Sequence, residues 1–68
     1  GQEFKIVINR AAKLNIYSTS GALIMEDIDL VKNQENLING HNLPSGLYML
    51  EIINDANERH YKKLIVSP

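Results

Sequence analysis

Large apolar residues recur at every second position along much of the chain, a pattern that favours β-strands over helices. This alternation predicts a first strand over residues 3–9. Leu14 and Ile16 continue the pattern and predict a second, half-buried strand over residues 13–17. The polar residues 18–21 then interrupt it with a glycine, which can adopt the positive φ of a tight turn. The first part of the chain is therefore interpreted as containing a hairpin.

Residues 22–31 fit two interpretations. Ile24 and Ile28 are at helical spacing, whereas Leu23 and Met25 alternate around Ile24 as they would in a strand. We favour a strand, with the helix as the open alternative.

The second half of the chain contains a short apolar step at residues 37–38 and two longer strand predictions. Residues 47–53 are apolar on both faces, which is typical of a central strand covered on both sides. Residues 54–57 supply turn chemistry, and residues 58–66 return as the last strand. The spacing of strands and turns predicts an all-β fold, a small antiparallel immunoglobulin-like β-sandwich of about six to seven short strands.

Length and charge narrow the class of protein. A chain of 68 residues has room for one small core, so residues 1–68 are expected to form a single domain. A net charge of −1 supplies no basic excess for nucleic acid, and none of the apolar runs approaches a membrane-spanning length. The abrupt start in a strand-like segment suggests a C-terminal piece excised from a longer secreted protein.

Residues with catalytic or ligand chemistry are few. His41 and His60 have no cysteine and no metal-ligand spacing around them, so no metal or other cofactor is assigned. Both are expected to be solvated or hydrogen-bonding, and a two-histidine site completed by distant carboxylates is the open alternative. Ser45 lies in a Pro-Ser-Gly turn that lacks the leading glycine of a nucleophile elbow. We therefore expect no enzyme activity and assign no catalytic residue.

Other polar and aromatic groups each allow two interpretations. An acidic trio could bind a cation, but its spacing does not fit an EF-hand loop, and a solvated edge is favoured: Glu26, Asp27 and Asp29. Two lysines precede the last apolar step, where they could bind an acidic partner or protect a strand edge from aggregation, and from the residues alone edge protection is favoured: Lys62 and Lys63. The tyrosines would form a sugar-stacking platform only if two share an exposed face, and core or half-buried packing is favoured: Tyr17, Tyr48 and Tyr61.

The order of these segments resembles the C-terminal sorting domain of the type IX secretion system (Por secretion system) of Bacteroidetes. The similar blocks are "LNIYSTSGALI", "LINGHNLPSGLYMLEI" and "ERHYKKLIV". The middle block carries the family's Leu-Pro-x-Gly-apolar-Tyr corner, which here is Leu43, Pro44, Gly46 and Tyr48, followed by Leu50. The closing block carries lysines before an aliphatic end: Lys62, Lys63, Leu64, Ile65 and Val66. The Tyr-Pro-Asn-Pro stretch with which many members begin is not found in "GQEFKIVINRAAK", so a truncated or divergent member and a related β domain both stay open.

The resemblance implies a non-catalytic signal on an upstream cargo domain, recognised by secretion machinery at the outer membrane. The cargo would be exported through the periplasm to the cell surface or the medium. Residues Lys62 to Val66 are the expected recognition segment, and Leu43, Pro44, Gly46 and Tyr48 are the expected structural corner. The alternative is a small immunoglobulin-like binding or adhesion module of a cell-surface protein.

Overall fold

The computed structural model describes residues 3–40 and 43–67 and contains six β-strands. The strands are β1 (Glu3–Ile6), β2 (Ala12–Ser18), β3 (Leu23–Leu30), β4 (Asn36–Asn39), β5 (Gly46–Asn54) and β6 (Arg59–Val66). All pairings are antiparallel, in a two-stranded sheet β1-β4 and a four-stranded sheet β3-β2-β5-β6. The all-β class, the antiparallel pairing and the predicted number of strands are confirmed.

The two sheets share one core. The inward residues of β2 and β5 pack with residues from the end of β3, from β4, from the segment before β5 and from the end of β6. They form a cluster of nine buried side chains: Leu14, Ile16, Leu30, Ile38, Leu43, Tyr48, Leu50, Ile52 and Val66. Phe4 and Ile6 of β1 are half-buried against this cluster. Leu14 and Ile16 are 0% exposed, as the alternation in β2 predicts.

The ambiguous segment is the strand β3, as favoured, and it contains a bulge. Leu14 lies opposite Ile28 and Ile16 lies opposite Met25, so β3 advances by three residues while β2 advances by two. Met25 and Ile28 can therefore both contact the core although they are three positions apart. Asp27 occupies the bulge with a φ of 56°, and its N–H donates to the side chain of Asn15 at 3.0 Å.

The central position predicted for β5 is confirmed, since β5 pairs with both β2 and β6. The predicted covering of both faces is wrong, because only one face of β5 packs against the core. Tyr48, Leu50 and Ile52 are buried in the core, whereas Leu47 on the opposite face is 43% exposed. We call that solvent-facing side of the four-stranded sheet the outer face.

A buried asparagine closes the connection between β3 and β4. The side chain of Asn36 accepts a hydrogen bond from the N–H of Val31 at 2.8 Å and donates to the carbonyl oxygens of Val31 and Ile6. These bonds tie the start of β4 to the end of β3 and to β1. β1 itself ends at Ile6, earlier than predicted, although Ile8 still packs against the core.

Candidate functional site

The predicted recognition segment runs along β6, and its residues alternate between two environments. Leu64 and Val66 point inward, and Val66 is buried. Lys63 and Ile65 point to the outer face, where Ile65 is 74% exposed and lies opposite Leu47. Only part of the segment is therefore accessible to a partner.

Lys62 differs from both groups. It lies opposite the buried Leu50, so its side chain leaves β6 on the inward side, yet Lys62 is exposed. His60 is likewise exposed although it lies opposite the buried Ile52. The inward side of β6 is thus left partly uncovered by the two-stranded sheet.

The predicted corner lies where the chain enters β5. Leu43 is buried in the core, and the hydroxyl of Tyr48 donates a 2.5 Å hydrogen bond to the carbonyl oxygen of Pro44. Gly46 has a φ of 151°, a conformation that side-chain-bearing residues rarely adopt. A tyrosine hydroxyl bonded to backbone a few residues upstream is also how immunoglobulin-type domains fix such a corner.

A buried carboxylate on the outer face was not predicted. Glu51 of β5 is only 4% exposed and accepts two hydrogen bonds on each carboxylate oxygen. Asn15 and Tyr17 of β2 donate to Oε1 at 3.0 and 3.1 Å, and Arg59 and Tyr61 of β6 donate to Oε2 at 3.0 and 2.9 Å. We call these five residues the Glu51 cluster.

The electrostatics of the Glu51 cluster favour the ionised carboxylate. The hydrogen bond from Asn15, with those from Tyr61, Arg59 and Tyr17, outweighs burial and lowers the pKa of Glu51 to about 2. The hydrogen bond between Tyr17 and Glu51 also raises the pKa of Tyr17, because the carboxylate stabilises the protonated hydroxyl. A carboxylate with such a low pKa and four donors is a poor general base, so the cluster is suited to holding β2, β5 and β6 together.

The sequence singled out Tyr17 and Tyr61 as candidates, but it did not identify Glu51, which accepts a hydrogen bond from each of them. The structure brings both hydroxyl groups to Glu51, so the two tyrosines do share the outer face. Tyr61 is exposed and Tyr17 is half-buried, whereas Tyr48 is in the core. The available signal was a glutamate in the middle of an otherwise apolar central strand.

The remaining candidates lie apart from this cluster. His41 is outside the described residues, and Ser45 is exposed in the loop before β5. The acidic trio is exposed on the edge strand β3, where Asp29 pairs with Lys13 at 2.8 Å. Within residues 3–40 and 43–67, no group of three or more histidine, aspartate or glutamate side chains is arranged to hold a metal ion. A search of the same residues for a helix long and apolar enough to cross a membrane finds none.

The fold and these surfaces define a small antiparallel β module whose main polar cluster joins strands. Residues 1–67 match the family described as the secretion system C-terminal sorting domain. The chain belongs to this family, the sorting domains of type IX secretion in Bacteroidetes, which is a family of secreted proteins not known as catalytic. No curated protein and no solved structure gives a significant match.

Proposed function

We propose that this domain is a non-catalytic signal that directs an attached cargo protein across the outer membrane by the type IX secretion system. The family match over residues 1–67 is the observation that carries the proposal. In this proposal residues 1–68 form one unit of a longer secreted protein. The cargo passes through the periplasm and reaches the cell surface or the medium.

The recognition surface that we propose is the accessible part of the closing strand. Lys62, Lys63 and Ile65 are exposed, and none of the described carboxylates forms an ion pair with either lysine. Leu64 and Val66 instead contribute packing, which supports the inward side of the strand. The corner formed by Leu43, Pro44, Gly46 and Tyr48 has a structural role in this proposal, because it fixes how the chain enters the strand next to β6.

The experiment that tests this function is the export of a reporter fused to residues 1–68 in a Bacteroidetes host. The host is compared with a strain that lacks the type IX translocon. We expect the reporter outside the cell only when the translocon is present. Export in both strains, or retention of the folded fusion in the periplasm of the competent strain, would contradict the proposal.

The recognition surface needs point variants rather than a deletion. Removing β6 would also remove the buried Val66 and all pairing on one side of β5, so the domain would not stay folded. We would use the double variant Lys63→Ser, Ile65→Ser and the matched control Val31→Ser, Lys32→Ser, which also replaces an exposed lysine and an exposed aliphatic residue. Export should fall in the first variant and not in the control.

A binding or adhesion module is the second candidate, and the shared position of Tyr17 and Tyr61 favours it. Half-buried and exposed tyrosines on one face suit stacking against a sugar ring, and Leu47, Met49 and Lys63 border the same shallow groove. Retention of the folded fusion together with glycan binding that is lost in Tyr61→Ala would favour this candidate over export.

A further inference from the structure

A groove separates β1 from the inward side of β6. Its floor is apolar and includes Leu50, Ile52 and Leu64. One wall is formed by residues 4–9, and the other by His60, Lys62 and Lys63 of β6. We call this feature, with a volume of about 720 Å³, the β1–β6 groove.

The wall on the β1 side is the edge of a strand rather than one of its faces. Every residue from 4 to 9 lines the groove, so side chains that alternate between the two faces all border it. In the described residues β1 pairs only with β4, which leaves the second edge of β1 without a partner strand. Backbone N–H and C=O groups on such an edge can pair with an added strand.

The opposite wall has room for side chains of an added strand. β6 extends beyond the two-stranded sheet, so His60 and Lys62 are exposed although they lie opposite the buried Ile52 and Leu50. A strand placed along β1 would cover this part of β6. The 4 residues of β1 offer an edge of roughly 13 Å, given about 3.3 Å per residue, and residues 7–9 continue along the groove beyond the end of the strand.

The charged residues that line the groove favour an added strand with acidic side chains. Its lining includes three lysines and one histidine but no aspartate or glutamate, although the chain as a whole has a net charge of −1. Lys5 is already paired with Glu35 at 3.6 Å. Lys62 and Lys63 have no ion pair with any carboxylate of the described residues. Lys62, which leaves β6 on the inward side, is therefore the cation of the groove that is available to a ligand.

We propose that the β1–β6 groove binds an extended segment of a partner protein that alternates apolar and acidic residues. The segment adds to the free edge of β1 by backbone hydrogen bonds. Its apolar side chains pack on Leu50, Ile52 and Leu64, and its carboxylates contact Lys62, the lysine that leaves β6 on the inward side. Backbone pairing supplies affinity in this mode, and alternate side chains supply specificity. The proposal goes beyond the export role and is tested on the purified domain alone.

The test uses a labelled eight-residue peptide in which valine and glutamate alternate, with two control peptides. One control replaces every glutamate by lysine, and the other carries N-methyl groups on the backbone. The acidic peptide should bind, and the others at least about tenfold more weakly, because one has the wrong charge and the other lacks edge donors. Amide chemical-shift changes should be confined to residues 4–9 and 60–64.

A charge-reversing variant and a matched control variant test whether the peptide binds in the β1–β6 groove. Lys62→Glu should weaken binding of the acidic peptide about tenfold, because an attraction becomes a repulsion. Lys32→Glu makes the same change of charge outside the groove and should leave binding unchanged. Both lysines are exposed, and a thermal melt of each variant verifies that it is folded.

Three results would overturn the proposal. Equal binding of the acidic and lysine peptides would remove the charge argument, and shift changes on the outer face would place the ligand elsewhere. A dimer by sedimentation that Lys62→Glu dissociates would show that a second copy of this chain occupies the groove.

Discussion

The two sides of β6 show how differently one strand can use its polar residues. On the outer face, Arg59 and Tyr61 are bound to Glu51, and the carboxylate has no further acceptor position open. On the inward side, His60 and Lys62 extend over the β1–β6 groove. Polar residues that are bonded to one another stabilise a fold, whereas a lysine beside an apolar floor that has no ion pair with a described carboxylate can bind an acidic ligand. The comparison therefore assigns stability to the Glu51 cluster on the outer face, and it supports our proposal that the uncovered inward side of β6 binds an extended segment.

Glu51→Gln is expected to have the largest effect on stability. The glutamine side chain places an amide N–H₂ where donors already converge and removes the charge that Arg59 contacts. We expect the free energy of unfolding to fall by about 2 kcal/mol, since hydrogen bonds to charged groups contribute more than neutral ones. Denaturant unfolding measures this change.

The matched control is Glu26→Gln, which changes an exposed glutamate on β3. Its stability should stay within about 0.5 kcal/mol of the parent protein. Equal losses in the two variants would mean that the Glu51 cluster contributes nothing specific.

Acid should reduce the stabilisation that the Glu51 cluster contributes to the fold. The pKa of Glu51 is about 2 in the folded protein against an ordinary value of 4.5, so the unfolded state takes up the proton first as the pH falls. The contribution is complete above pH 4.5 and is lost as the pH falls through about 2. Because Arg59 and Tyr61, which donate to Glu51, are exposed to solvent, we expect about 1 to 2 kcal/mol rather than the full value of the shift.

Unfolding measured at pH 5 and at pH 2, in the parent protein and in Glu51→Gln, isolates this contribution. The variant should lose less stability over the interval than the parent. Parallel losses would assign the acid sensitivity to other carboxylates.

The alternation of residues predicted the strands because the inward positions of β2 and β5 are filled by large apolar side chains. It was ambiguous in β3, where the bulge at Asp27 changes the interval between inward residues from two to three. A single sequence does not mark such a bulge, since the deciding bond comes from Asn15 on the neighbouring strand. The strands can thus be predicted from local residue patterns, whereas a bulge depends on the pairing between neighbouring strands.

The candidate sites were harder to predict for the same reason. The sequence identified Lys62 and Lys63 as a pair, but only the register with β5 separates Lys62 on the inward side from Lys63 on the outer face. Glu51, Tyr17 and Tyr61 are far apart along the chain and meet only because β5 lies between β2 and β6. Contacts across three strands require the order of the sheet, which composition and spacing do not contain.

Tyr61→Phe should have a smaller effect than Glu51→Gln. It removes one donor to Glu51 and leaves three, and Tyr61 is 57% exposed, so water can replace part of the lost contact. We expect a loss of about 0.5 to 1 kcal/mol in denaturant unfolding. In a Glu51→Gln background the same substitution should cost less, because the two residues act through one hydrogen bond. Additive losses would contradict the shared role.

Lys62→Thr should have the smallest effect on stability and sharpens the comparison most. Lys62 is next to Tyr61 on β6 and lies opposite the buried Leu50 of β5. Its position in the sheet alone would therefore suggest a structural role. Its side chain is exposed and has no ion pair with a described carboxylate, and threonine suits a strand well. The thermal midpoint should therefore stay within about 3 °C of the parent protein. A larger drop would mean that Lys62 itself contributes to the stability of the fold, and the assignment of its position to binding rather than to stability would not hold.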